Sequence, residues 1–201
     1  HTYARDMDYT PIHQMWSGDD IFNVIPGTAS PPILPNKCEE SGYEFIDSSI
    51  TGDPKPRPAC DFSGFFQYQT RYYLPHQEMI RDHLTFKGIY AKRCNQIRAL
   101  FDAQSGPVIT THLRRGDFGT GVFFIAPEGW YLDWLSTLRK EHPKLSVYIA
   151  SDDINAVKSA FSDYPLLTEA DLPKSELAHD FATDFIALTQ GDAMAISNSS
   201  F

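Results

Sequence analysis

Three short apolar runs, each ending abruptly in polar side chains, constrain this chain more than any other feature. Pro107-Val108-Ile109-Thr110-Thr111 runs into His112-Leu113-Arg114-Arg115-Gly116-Asp117-Phe118. Val147-Tyr148-Ile149-Ala150 runs into Ser151-Asp152-Asp153, and Ala193-Met194-Ala195-Ile196 into Ser197-Asn198-Ser199-Ser200-Phe201. Unbroken apolar runs of this length fit strands buried on both faces. Helical patterns lie between and around them. Pro127 to Glu141 places Trp130, Tyr131, Trp134 and Leu138 on one face, with Pro near its start. Ile154–Phe161 reads as a short helix with Ser151 or Asp152 as its N-cap. Leu166–Thr168 is a weak strand, and Leu177, Phe181, Phe185 and Leu188 mark a further helix. Upstream, Pro75 to about Ala103 is helical in pieces, with Gly88 a break. Strands Val108–Leu113, Leu145–Ala150 and Ala193–Ile196 alternating with helices require crossovers, hence a parallel sheet. The expected fold is α/β, a Rossmann-type parallel sheet flanked by helices, spanning residues 62–201.

Residues 1–61 read differently. Pro31-Pro32-Ile33-Leu34-Pro35 and Pro54-Lys55-Pro56-Arg57-Pro58 cannot continue helices or central strands. Ile21-Phe22-Asn23-Val24-Ile25 and Tyr43-Glu44-Phe45-Ile46 are the candidate strands. A long loop-rich segment is unusual inside a compact domain. It is expected to be the trailing part of a lobe rather than a complete domain.

The formal net charge of −9 argues against a nucleic-acid surface, which carries a basic patch. It leaves room for a nucleotide, since one arginine cluster makes a positive site inside an acidic protein. No run of about 18 apolar residues exists to span a membrane. Cys38, Cys60 and Cys94 show no zinc spacing. Cys94 reads as a small buried hydrophobe. Cys38 and Cys60 flank a polar loop and can pair in an oxidising compartment.

Ligands of open α/β sheets bind at the C-terminal ends of strands. Arg114 and Arg115 there suit a diphosphate, because each guanidinium is a planar fork of donors that stays charged. The plainer alternative is two surface arginines paired with nearby carboxylates. His112 lies two residues before Arg114 and shares its strand face; it is either a ligand contact or a satisfied core histidine. Asp117 is a candidate general base, or it holds Arg115 or caps the next turn. Asp152 and Asp153 suit three roles: metal ligands, acceptors for the N1/N2 edge of guanine, or a helix cap. Ser197, Asn198, Ser199 and Ser200 can cradle phosphates, above all if a helix N-terminus follows. Phe123, Phe124, Trp130 and Trp134 either stack on a sugar or, the better-supported reading, fill the core. The Arg-Gly-Asp tripeptide, the Asn198 sequon and the spacing of Gly116, Gly119 and Gly121 carry no weight here.

The three polar clusters, taken in order, resemble the three motifs of the GDP-fucose-dependent fucosyltransferases, a superfamily of α1,2-, α1,6- and protein O-fucosyltransferases. The α1,2-type pattern is roughly His-x-Arg-Arg-Gly-Asp-Tyr, then Ser-Asp-Asp, then Ser-Asn-Ser-Ser-Phe. Gly64-Phe65-Phe66-Gln67 followed by Tyr72-Tyr73 is similar to a family segment ahead of the first motif. The resemblance covers about residues 62–201. It implies a GT-B-like fold and an inverting, metal-independent transfer of L-fucose from GDP-β-L-fucose to a glycan hydroxyl. No metal and no cofactor beyond the donor is implied; the partners are GDP-fucose and a carbohydrate or glycoconjugate acceptor.

The resemblance further implies Arg114 on the β-phosphate, His112 on the nucleotide and Asp152 or Asp153 on guanine. Ser197, Asn198, Ser199 and Ser200 would line the phosphates, and Asp117 is the candidate base, with Arg115 either a second phosphate ligand or a structural arginine. Two departures stand out. The Gly-Gly-Leu-Gly-Asn-Gln-like segment of the acceptor-side lobe is missing, and the third motif is the last thing in the chain. Residues 1–61 are therefore expected to be the remainder of an incomplete acceptor lobe, and the chain part of a longer protein. A Golgi member of the family would carry an N-terminal anchor; without one the enzyme would be cytoplasmic. The alternatives are a non-catalytic nucleotide-binding homologue or fragment, or a transferase for another GDP-sugar.

Overall fold

The computed structural model describes residues 12, 15–24, 27–39, 59–63, 74–120, 123–177 and 181–197. They fall into two compact units, one within His1–Lys87 and one within Gly88–Phe201. The stretch from Phe62 to Lys87 thus groups with the first unit.

In the first unit, a single helical turn α1 (Gly18–Ile21) precedes strand β1 (Asn36–Glu39), which pairs in parallel with β2 (Cys60–Ser63). A 3-10 turn at Leu74–His76 leads into helix α2 (Gln77–His83). The strand expected over residues 21–25 is not formed over its described residues, 21–24. Ile21 closes α1, and Phe22 makes an isolated antiparallel bridge to Phe86. Tertiary contact overrides the local preference: the Phe22 ring sits 5.3 Å from Phe86, and Lys87 N–H donates to Ile21 O at 3.0 Å. The β1–β2 pair was not legible, since Asn36, Lys37 and Glu39 are poor strand formers. The expected strand at 43–46 lies outside the described residues. Cys60 is disulfide-bonded, and Cys94 is free and only half-buried. Cys94 is thus not the fully buried residue expected; it sits on helix α3 (Gly88–Asp102), between its buried and its exposed faces.

The second unit is a four-stranded parallel sheet with helices on both faces. Its elements are α3 (Gly88–Asp102), β3 (Val108–His112), α4 (Glu128–Glu141), β4 (Ser146–Ala150), α5 (Ile154–Val157), β5 (Leu166–Leu167), α6 (Ala182–Gln190) and β6 (Ala193–Ile196). The spatial order is β5-β4-β3-β6. Gly88 begins α3 with φ +53°, a left-handed conformation that suits glycine, so the break between α2 and α3 falls where the sequence placed it. The helix expected over 154–161 is shorter: α5 tightens into a 3-10 turn at Lys158–Phe161. Asp153 caps it, rather than Ser151 or Asp152, accepting from Ala156 N–H at 3.2 Å. The last helix begins at Ala182, so Leu177 and Phe181 precede it.

Both faces of β3 and β4 are buried along their whole length. Ile109, Leu113, Val147 and Ile149 pack under α4 and α5 with Tyr131, Leu135, Val157 and Phe161. On the other face, Tyr148 packs against Phe101 of α3, and Thr110 Oγ1 donates to Leu188 O of α6 at 2.9 Å. Alternating side chains of one strand thus serve two helical layers. The aromatic segment departs from expectation. Phe124 and Trp130 are 51% and 61% exposed and Phe123 is exposed too; only Trp134 is half-buried against the core. Leu135 and Tyr131 are the buried residues of α4 instead, and Trp130 in its first turn stays exposed. No helix among the described residues is long and apolar enough to cross a membrane.

One buried acid shapes the pH response of this core. Tyr148 Oη donates to Asp184 Oδ1 between β4 and α6. Burial pushes the Asp184 carboxyl above the usual range, although the Tyr148 hydrogen bond pulls it back. A raised folded-state pKa gives stability that is whole below the unfolded pKa and is lost as pH rises through the folded one. Asp184→Asn keeps an acceptor for Tyr148 and removes that proton linkage. Urea midpoints from about pH 3 to 8 should show the wild type losing stability relative to this variant as pH rises; a pH-independent difference would refute the linkage.

Candidate functional site

The strand order β5-β4-β3-β6 matches the 3-2-1-4 half of a doubly wound sheet, in which strand order reverses between the first and fourth strands. Here that reversal lies between β3 and β6, and crevices at such points bind ligands. Asp192 fixes the pair at its other end: Val108 N–H donates to Asp192 Oδ2 and Asp192 N–H to Val108 O, both at 2.9 Å. From there the register runs Ile109–Ala193 to His112–Ile196. It delivers Ser197 beside the residues that follow β3. Ser197 N–H donates to His112 O at 3.1 Å, and Arg114 N–H to Ser197 Oγ at 3.4 Å.

The loop after β3 sends its two arginines to different environments. Arg115 turns inward and is 7% exposed. Its Nη2 meets Glu128 Oε1 at 2.7 Å, and its Nη1 donates to Arg114 O at 2.9 Å. Arg114 stays outward, with its side chain 37% exposed. Its Nε and Nη2 both lie 3.0 Å from Asp117 Oδ1, and Nε is also 3.3 Å from Asp152 Oδ2. Arg114 Nη1 has no partner among the described residues, so the fork keeps donors for a ligand. The Phe118 ring lies 6.0 Å from its guanidinium carbon.

Asp152 ties the second strand end to the first. Its Oδ1 accepts from Arg115 N–H at 2.7 Å while Oδ2 faces Arg114. A methyl group on Gly116 would press on that same Oδ2, so a side chain there would have to displace the Asp152 carboxylate. Ser151 adds a further tie, donating from Oγ to Leu113 O at 2.7 Å. Asp153 points elsewhere, as the cap of α5. His112 is buried at the end of β3; burial pushes its imidazole below the usual range, Asp152 pulls it up and Arg114 pushes it down. The neutral form therefore dominates near pH 7. Asp117 is held low by the hydrogen bond from Arg114, then by one from its own backbone.

The site thus gathers Arg114, Arg115, Asp117, Asp152, His112 and Ser197, and leaves Asp153 aside. Asn198, Ser199 and Ser200 lie outside the described residues. Among the described residues, no three His, Cys, Asp or Glu gather as they would to hold a cation. Two contributors escaped sequence reasoning. Glu128 neutralises Arg115, and Tyr131 Oη donates to His112 O at 3.2 Å. Both sit on α4. An acid in the first turn of a helix signals only a favourable dipole contact, and its long-range partner has no local trace.

Glu128→Ala should leave the Arg115 charge buried without its carboxylate. The expected cost is about 1–3 kcal/mol, the penalty for a buried donor that loses its partner. Urea midpoints measure it against Asp133→Ala, an exposed position on the same helix that should move stability by less than about 0.5 kcal/mol. Equal effects at both positions would show that the Arg115–Glu128 pair does not hold the loop.

Comparison with protein-family models and with curated proteins returns no match, so the purpose of this site must be argued from its chemistry.

Proposed function

We propose that this chain carries the donor-binding half of an inverting GDP-fucose-dependent fucosyltransferase of GT-B-like architecture. What supports the reading is the convergence of the three motif segments at one sheet edge. Arg114 of the first lies 3.3 Å from Asp152 of the second and hydrogen-bonds Ser197 of the third at 3.4 Å. Residues far apart in sequence meet where a doubly wound sheet takes a nucleotide.

The chemistry follows from the state of Arg114. In the free protein its charge is shared with Asp117 and Asp152. An incoming diphosphate offers a denser negative charge and takes the fork bidentately. As the bond from fucose C1 to the β-phosphate oxygen breaks, the electron pair leaves with GDP, and Arg114 stabilises the growing charge. Displacing Asp117 from Arg114 removes what holds its carboxyl low. The freed carboxylate then takes the proton of the acceptor hydroxyl, whose oxygen bonds to C1 from the opposite face. The β-linked donor gives an α-linked product. Arg115 holds the loop instead of touching the donor. Asp152 both positions Arg114 and offers an acceptor to the guanine edge. No metal ion is required, so transfer should be equal with and without EDTA.

Calorimetry should show GDP binding more tightly than UDP or ADP; equal affinities would overturn the guanine assignment. Arg114→Lys should cost about 2–4 kcal/mol of transition-state stabilisation, as the loss of an oxyanion-type donor does. Asp117→Asn should separate the two roles of that residue. GDP should bind several-fold more tightly, because Arg114 loses its competitor, while transfer falls by about 10²–10⁴-fold. Unchanged transfer by Asp117→Asn would remove it as the base.

A further inference from the structure

Beside the Arg114 loop lies a hollow of about 250 Å3 that the chemistry above does not use. It is lined by Phe124, Ala126, Trp130, Tyr131, Trp134, Ala195, Ile196 and Ser197. Trp130 and Phe124 meet edge to face with centroids 6.0 Å apart, yet both rings are more than half exposed. Burying either would have stabilised the core. Instead Tyr131 and Leu135 fill that space, and the outer rings stand free.

We infer that this hollow is a subsite for one neutral pyranose ring. Volume is the first argument. Pockets for drug-sized ligands run to about 300–1,000 Å3, so the hollow suits a single ring with its substituents. Charge is the second. None of the described lining residues is ionisable near neutral pH, which disfavours a phosphate or a carboxylated ligand. Polarity is the third. A nucleobase is read through amide or carboxylate groups that match its edge, and the described lining residues offer neither. Those residues bring aromatic side chains suited to the C–H face of a sugar, and Ser197, Trp130 and Trp134 are residue types that hydrogen-bond sugar hydroxyls. Continuity is the fourth, since Ser197 lines the hollow and also accepts the Arg114 N–H. Identifying the ring with the fucose acceptor rests on the reading above; the binding of a ring does not.

The test is titration of the full chain with methyl glycosides of galactose, glucose and N-acetylglucosamine, followed by tryptophan fluorescence and saturation-transfer NMR. GDP and guanosine serve as separate probes. At least one glycoside should bind with millimolar affinity and transfer saturation to its ring C–H protons. Trp130→Ala, at an exposed position, should weaken it about tenfold, or ~1.4 kcal/mol, with GDP affinity unchanged. Trp130→Phe should restore part of the loss. Glycosides that fail to bind while GDP binds would overturn the subsite and leave the donor reading intact. Glycoside binding that needs Trp130, without GDP binding, would uphold the subsite and sink the donor reading. Loss of guanosine rather than glycoside binding in Trp130→Ala would show that the hollow takes a base, and the inference would fall.

Discussion

The buried charge of Arg115 is the constraint on which the site depends. A guanidinium does not lose its proton in a protein, so its burial demands a fixed partner. Glu128 supplies one at 2.7 Å from the start of α4, and the carbonyl of Arg114 supplies a second acceptor. Such a pair adds little net stability, because desolvation offsets most of the attraction. What it fixes is shape. With Arg115 anchored inward, its neighbour Arg114 is left facing out, and Asp152 binds the backbone between them. Two adjacent arginines of identical chemistry thus acquire opposite roles from a difference in burial alone.

The sheet brings the partners together. β3 is the central strand of the second unit, paired with β4 on one side and β6 on the other. Each neighbour ends level with it, His112 opposite both Ala150 and Ile196. Whatever follows each strand therefore emerges at one edge. Parallel pairing makes this possible, since all three strands run the same way and the helices carry the chain back. Thr110 and Thr111 can lie in so apolar a sheet because their hydroxyls donate to Leu188 O and Tyr148 O. Without those bonds each buried hydroxyl would cost about 1–3 kcal/mol.

Much of the second unit was legible because its signals are local. Val108–His112 and Ser146–Ala150 are short runs rich in Val, Ile, Thr and Tyr without a charged residue or a Gly or Pro break, and α4 carries a clean helical face. The errors arose where tertiary contact decides. The Phe22 segment had strand composition but was drawn into an aromatic contact with Phe86. Asp152 looked as good a cap as Asp153, yet it is engaged by Arg115 N–H, which leaves Asp153 to cap α5. The aromatic residues after Gly119 looked like core, because sequence gives hydrophobicity and not the shape of the space available. At the site, the residue types and their order were readable. Their pairing was not: nothing local distinguishes Arg115, bound inward to Glu128, from Arg114, bound outward to Asp117.

The two sides of this sheet edge differ in polarity, and that difference limits what can occupy them. Arg114, Asp117 and Asp152 form a charged group whose ion pairs a phosphate can exchange at low cost, because each partner stays partly hydrated. The described lining of the hollow under Phe124 and Trp130 is neutral and mostly apolar, and a charged group gains no partner from those residues for the hydration it would lose. Ser197 belongs to both sides. A molecule bound across them must be anionic at one end and neutral at the other, or else two molecules must meet beside Ser197. The proposed sugar-nucleotide donor and the proposed neutral ring would fit the second arrangement, meeting at the boundary where the polarity changes.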